Sequence, residues 1–200
     1  MTSTLLLMDY QEGICRPGGA LGRSGSGAEV ERRGVLDAAA RTLDAFRAAG
    51  RPVIFVRVAF DEEFTNMTSA SPRFMAMKKR RMLLDSDPET AICRELAPRA
   101  GEPVITKGCV NPFVGTRLAQ LLISQGSRQL VLGGVATNHV VESTARLAAD
   151  LGYEVVVLDD LCASFTAELH EFSAREILPG YGKVTTSQEY FGGLDGTQAG

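Results

Sequence analysis

Strand-length apolar runs alternate with amphipathic stretches along almost the whole chain, and that alternation leaves few folds open. The runs are Thr4–Asp9 (TLLLMD), Pro52–Val58 (PVIFVRV), Pro103–Lys107 (PVITK), Gln129–Val135 (QLVLGGV) and Glu154–Asp160 (EVVVLDD), with a shorter one, Lys183–Thr186 (KVTT), near the end. Most are apolar nearly throughout, the pattern of strands covered on both faces. Helical spacing fills the gaps over Val30–Ala49, Val114–Gln125 and Asn138–Leu151, which stop at Gly50, Gly126 and Gly152. Glycine just past the last periodic residue is a helix-stop signal. A further helix, Ala167–Leu178, begins after Ser164 or Thr166 and stops before Pro179. Strand–helix–strand alternation implies right-handed crossovers and a three-layer α/β/α sandwich around a mostly parallel six-stranded sheet. At 200 residues, without a repeat or a linker, the expectation is one domain over 1–200.

Composition removes several function classes. A net charge of −3 offers no basic surface for nucleic acid or an anionic membrane. No apolar run approaches the roughly 20 residues of a membrane span. The N-terminal MTSTLLLMDYQ has no basic n-region, so it reads as a first strand and the protein as cytoplasmic. Cys15, Cys93, Cys109 and Cys162 form no CxxC pair, and only His139 and His170 are present. A disulfide framework or a multi-histidine zinc site is not expected, nor is an organic cofactor, because GxGxxG is absent. The expected partner is a small-molecule substrate.

Two segments escape the alternation. Pro17–Glu29 is glycine-rich and reads as a mobile surface loop. Asp61–Glu89 is long and polar, of the kind that forms lids or oligomer contacts, and its basic cluster Lys78–Arg81 reads as a solvated face or subunit contact.

Sites on parallel sheets form at the carboxyl ends of strands. Asp9, Lys107 and Asp160 end three of the runs, and Gly133–Asn138 follows a fourth. A carboxylate directly after LLLM needs a cation or donors, and Lys107 is the obvious cation. Such a pair is either a structural ion pair or an acid–base pair with perturbed protonation. The GGVATN turn is either an ordinary strand-to-helix turn capped by Thr137 or Asn138, or a set of amides for an oxyanion or carboxylate. His139 opens the following helix, where a charged imidazole is disfavoured. His170 reads as exposed and without a role, and Cys15, Cys93 and Cys162 as small packing residues.

Together, LLLMDYQ around Asp9, VITKGCVNPFVGTRL around Lys107, LVLGGVATNHVVESTARLAADLGYEVVVLDD and CASFTAELHE resemble the isochorismatase-like (cysteine hydrolase) superfamily, in the right order over nearly the whole chain. The resemblance implies a Rossmann-like fold, a hydrolase, homodimers or larger homo-oligomers, and a cis peptide just before Ala136. Asp9 takes the place of the family's aspartate and Lys107 that of its lysine. The nucleophilic cysteine belongs in G-V-x-T-x-x-C-V-E-S-T, which here reads GVATNHVVEST, so its place is Val140. The D-x-H…H zinc pattern of the nicotinamidases is also missing. The chain is therefore similar to the cysteine-less branch, whose isochorismatases cleave a vinyl ether by protonation and water attack; here the Asp9–Lys107 pair is expected either to protonate an enol ether or to activate water. Gln11, Val135, Ala136, Thr137, His139 and Val140 are the candidates for substrate and oxyanion contacts. Two other readings stay open: a retired enzyme serving as a binding or scaffold protein, and an amidase whose nucleophile is Cys109, two residues past Lys107.

Overall fold

A computed structural model describes residues 2–195. Six strands form one sheet: β1 (Thr2–Met8), β2 (Val53–Val58), β3 (Val104–Lys107), β4 (Ser127–Val135), β5 (Glu154–Ala163) and β6 (Lys183–Thr185). Their order is β3-β2-β1-β4-β5-β6, and every pairing is parallel. The strand order reverses between β1 and β4. In open α/β sheets the crevice at such a reversal, past the carboxyl ends, is where ligands bind.

Side chains alternate across a strand, so β1 supplies both cores at once. Leu5 and Leu7 join one hydrophobic cluster, and Leu6 and Met8 the other, all 0–1% exposed. The first cluster is closed by α1 (Glu12–Cys15), α2 (Ser26–Arg33) and α3 (Val35–Ala48), through Ile14, Val30, Leu43 and Phe46. After α4 (Pro72–Lys79), the second is closed by α5 (Leu118–Ser124) and α6 (Glu142–Asp150), through Leu118, Leu122, Ala145 and Ala148. Helices α7 (Ala167–Phe172) and α8 (Ser187–Asp195) complete the described residues. Among the described residues, no helix is long and apolar enough to cross a membrane.

Four sequence expectations are corrected. The single helix Val30–Ala49 is two, broken at Gly34, whose φ of 63° lies in the left-handed region that glycine alone enters without a Cβ penalty. The glycine-rich Pro17–Glu29 is not a loose loop. Its second half is a 3-10 turn, Gly22–Ser24, running into α2, with Gly22, Ser26 and Gly27 buried. A Cβ on Gly22 would stand 1.8 Å from the Arg16 carbonyl oxygen, so the glycine there serves close backbone packing.

Asp160 does not end its strand. Two steps along β4 (Leu132 to Gly134) match five along β5 (Val157 to Cys162), so β5 bulges and runs on to Ala163. The bulge turns Asp160 away from the reversal point, where it accepts hydrogen bonds from the backbone N–H and hydroxyl of Ser187 at the start of α8.

His170 is not exposed. Only 2% of it meets solvent, while Leu169 and Phe172 of the same helix lie 42% and 62% exposed. This inverts the hydrophobic pattern, and the buried ring is tolerated because both its nitrogens have partners, Thr137 and Asp159.

Candidate active site

Asp9 follows β1 directly, with φ 60°, a left-handed conformation that aspartate tolerates better than most side chains. Its backbone N–H donates to the Val56 carbonyl at 2.8 Å. Lys107 ends β3, two strands away, and lies in register with Val58. Its side chain therefore spans β2 to reach Asp9. Nζ donates to Asp9 Oδ2 at 2.8 Å and to the Cys109 carbonyl at 3.1 Å. The side chains are 2% and 8% exposed, for lysine and aspartate respectively. Oδ1 of Asp9 is buried and has no hydrogen-bond partner among the described residues. Burial raises the Asp9 carboxyl above its usual range, and the charge and hydrogen bond of Lys107 offset this only in part.

Gln11 is wholly buried and spends its amide on backbone. It donates to the carbonyls of Val58 at 2.9 Å and Thr90 at 3.0 Å, and accepts from the Val58 N–H at 2.8 Å. It thereby pins the end of β2, over which Lys107 passes, and does not line the cleft.

On the other side of the reversal, β4 leads into the turn. The Val135–Ala136 peptide is cis. A π-helical turn, Thr137–Val141, then feeds α6. The N–H of His139 donates to the Ala136 carbonyl at 3.0 Å. Val135, Ala136, His139 and Val140 line a cleft together with Asp9 and Lys107. Val140 is 1% exposed and presents only an alkyl group there. Thr137 is fully buried beneath the turn and does not line the cleft. Burial, and then the charge of Arg73, push the half-buried His139 down to about 4, so its imidazole is neutral at neutral pH.

The opposite wall comes from the Asp61–Glu89 segment. Arg73, Phe74 and Met77 of α4 line the cleft, while Lys78–Arg81 are exposed. Arg73 carries its guanidinium over the Phe165 ring, 5.2 Å from the centroid, and burial lowers its pKa. Among the described residues it has no carboxylate in ion-pair reach. Ile14, Leu21, Val58 and Val110 make the remaining lining apolar. The cavity is small, about 50 Å3, with room for a few waters.

Cys109 stands apart. Its thiol points at the carbonyls of Asn111 (3.3 Å) and Val114 (3.8 Å), and only its own carbonyl meets Lys107. Elsewhere, ligand atoms of Glu12, Cys93 and Glu95 lie within 4.8 Å of one another, a grouping that sequence spacing hides. The Arg16 guanidinium neutralises it, bound to Glu12 at 2.7 Å and Glu95 at 2.8 Å.

Sequence reasoning missed Arg73, Phe165 and the Thr137–His170–Asp159 contact. A lone arginine in SPRF carries no spacing signal, and its place on the cleft depends on how the long segment folds back.

The isochorismatase domain model matches residues 3–189, nearly all of the described chain. The chain belongs to the isochorismatase family. An uncharacterized isochorismatase family protein of Escherichia coli O157:H7 is 31% identical over 201 residues, covering 96% of each chain. The maleamate amidohydrolase of Pseudomonas putida is 29% identical, over 92% of this chain and 83% of its own. Among solved structures, an isochorismatase family protein from Burkholderia thailandensis is 30% identical with a TM-score of 0.75, covering 94% of this chain and 93% of that one. This isochorismatase-family chain is accordingly a hydrolase.

Proposed function

We propose that this isochorismatase-family hydrolase cleaves a small carboxylate-bearing substrate with no covalent enzyme intermediate, using Asp9 as the proton-transfer group and Lys107 to hold it. The observation that carries this reading is the state of Asp9. One oxygen is held by Lys107, the other is unpartnered, and burial favours the protonated form. An acid of that kind suits a vinyl ether. Asp9 gives its proton to the terminal alkene carbon, forming a C–H bond as the double-bond electrons leave. Water adds to the resulting oxocarbenium carbon, and the hemiketal breaks its C–O bond to release an alcohol and a ketone. The proton from water returns to Asp9, so the cycle closes. The alkyl side chain of Val140 has no lone pair with which to attack, which excludes a thioester at that position.

The carboxylate preference rests on Arg73, which lines the cleft and has no carboxylate in ion-pair reach among the described residues. His139, neutral beside it, adds no competing charge. The test is a panel of enol ethers, amides and small acids. We expect turnover of an anionic member to survive iodoacetamide. Arg73→Gln should raise its KM roughly tenfold to a hundredfold, the scale of a lost charge-assisted hydrogen bond. Inactivation by iodoacetamide that substrate prevents would overturn the thiol-free reading. Because the maleamate relative is an amidohydrolase by name, Val140→Cys is the matching gain-of-function arm. It should add weak, iodoacetamide-sensitive amide cleavage to a cleft that already holds the Asp–Lys pair.

A further inference from the structure

Behind the cleft runs a hydrogen-bonded chain of side chains that the chemistry above does not use. Thr137 Oγ1 meets His170 Nδ1 at 2.8 Å, and His170 Nε2 meets Asp159 Oδ1 at 3.1 Å. Asp159 Oδ2 accepts from Arg33 Nη2 at 2.9 Å, and Arg33 Nε donates to the Cys162 carbonyl at 2.9 Å. Thr137 and His170 are 0% and 2% exposed, and Asp159 sits in the bulge of β5. The hydrogen bond from His170, first, and the neighbouring charges hold Asp159 below the usual carboxylate range. An ionised carboxylate only accepts, so Nε2 of His170 carries a proton. In the neutral ring, Nδ1 then accepts the Thr137 hydroxyl proton.

The order Asp–His–hydroxyl resembles a nucleophilic triad, but Thr137 does not open onto the cleft and cannot meet substrate. Its place on the chain gives it another use. Thr137 follows Ala136 and precedes His139 and Val140, all three of which line the cleft. A second tie, from the Ser164 hydroxyl to Asn138 Oδ1, fixes the same turn to the loop that carries Phe165.

We propose that His170 and Thr137 are positioning residues: the Asp159–His170–Thr137 relay anchors the Ala136–Val140 turn to β5 and α7, and so sets the geometry of the cleft wall facing Asp9. The proposal takes the cleft to be the active site, as above. His170 acts through Thr137 and never touches substrate. Arg33 keeps Asp159 paired when the imidazole is removed, so the relay can be cut without stranding a charge.

The test compares Thr137→Val, His170→Phe and the double variant with the wild-type protein. Amide hydrogen exchange at His139 and Val140 should rise about tenfold or more, while Leu5–Leu7 of β1 exchange as before. With the substrate from the panel, kcat should fall roughly tenfold to a hundredfold, the scale of a small misplacement at a reacting centre, with KM little changed. The double variant should be no worse than His170→Phe alone, because that substitution already deletes the Thr137–His170 bond. His170→Gln, whose amide can donate to Asp159 and accept from Thr137, should recover part of both effects. Uniform loosening of all amides, with kcat unchanged in folded protein, would overturn the proposal and leave the relay as ordinary core packing. Local loosening at the turn with no turnover from any panel member would uphold the relay and refute the cleft as the reacting site.

Discussion

Asp9→Asn is expected to lower kcat by about 10²–10⁴-fold, the range that positioned acid–base catalysis contributes. Asparagine keeps the shape of the side chain, and its carbonyl oxygen can still accept from Lys107 Nζ, so the sheet edge should stay closed. It can neither release nor take up the proton. The wild-type pH profile carries a sign that separates the two roles of Asp9. Acting as an acid, it works below its raised pKa, and activity falls as pH climbs through that value. Acting as a base, it works above that pKa, and activity falls on acidification. The acid role proposed for Asp9 predicts the descending alkaline limb. Wild-type turnover by Asp9→Asn, with circular dichroism confirming the fold, would remove Asp9 from the mechanism.

Lys107→Met should cost up to about 3–5 kcal/mol of folding stability at a pH where Asp9 is ionised, the usual penalty for leaving one partner of a buried ion pair alone. Methionine fills much of the space along β2, so the loss is electrostatic more than a cavity effect. The pH dependence has a definite direction. Removing Lys107 takes away both influences that lower the Asp9 carboxyl, so its folded pKa rises further. A carboxyl whose folded pKa lies above its unfolded value holds its proton more tightly in the native state. Its contribution is then complete below the ordinary carboxylate value of 3.8 and is lost as pH rises through the folded value. Urea midpoints of the variant, relative to wild type, should therefore improve in acid. A deficit independent of pH would show that the loss does not come from the titration of Asp9.

The parallel sheet was legible in the sequence because strands buried on both faces cannot hide their apolar runs. All six strands lie within a few residues of where the runs place them. The ion pair was legible for a related reason: a carboxylate straight after LLLM has few ways to be satisfied, and Lys107 ends another such run. Features created by packing were not legible. The polarity of His170 and the apolarity of Phe172 argue for the opposite of their actual burial, since the partners Thr137 and Asp159 are set by the turn and the bulge. Glycines at Gly22 and Gly27 serve close approach, which composition cannot tell from flexibility. Gln11 is drawn to backbone at the end of β2, a contact between segments far apart in sequence.

The reach of Lys107 across a whole strand has a consequence for how the protein is assembled. The pair joins residues 98 apart, so it forms only once β1, β2 and β3 lie side by side. All of that lies within the first 107 residues. The turn that faces the pair belongs to the later half and arrives only when β4 docks against β1. The Asp9–Lys107 pair and the α4 wall thus come from the first half of the chain and the Ala136–Val140 turn from the second, and they meet at one seam. Non-local pairings of this kind form late, because loop-closure entropy must be overcome first. A molecule with its first three strands in place already holds the Asp9–Lys107 pair, yet lacks the turn that closes the cleft. On the proposed mechanism, catalytic competence is in this sense a report on a single strand pairing, β1 with β4, and appears no earlier than that seam closes.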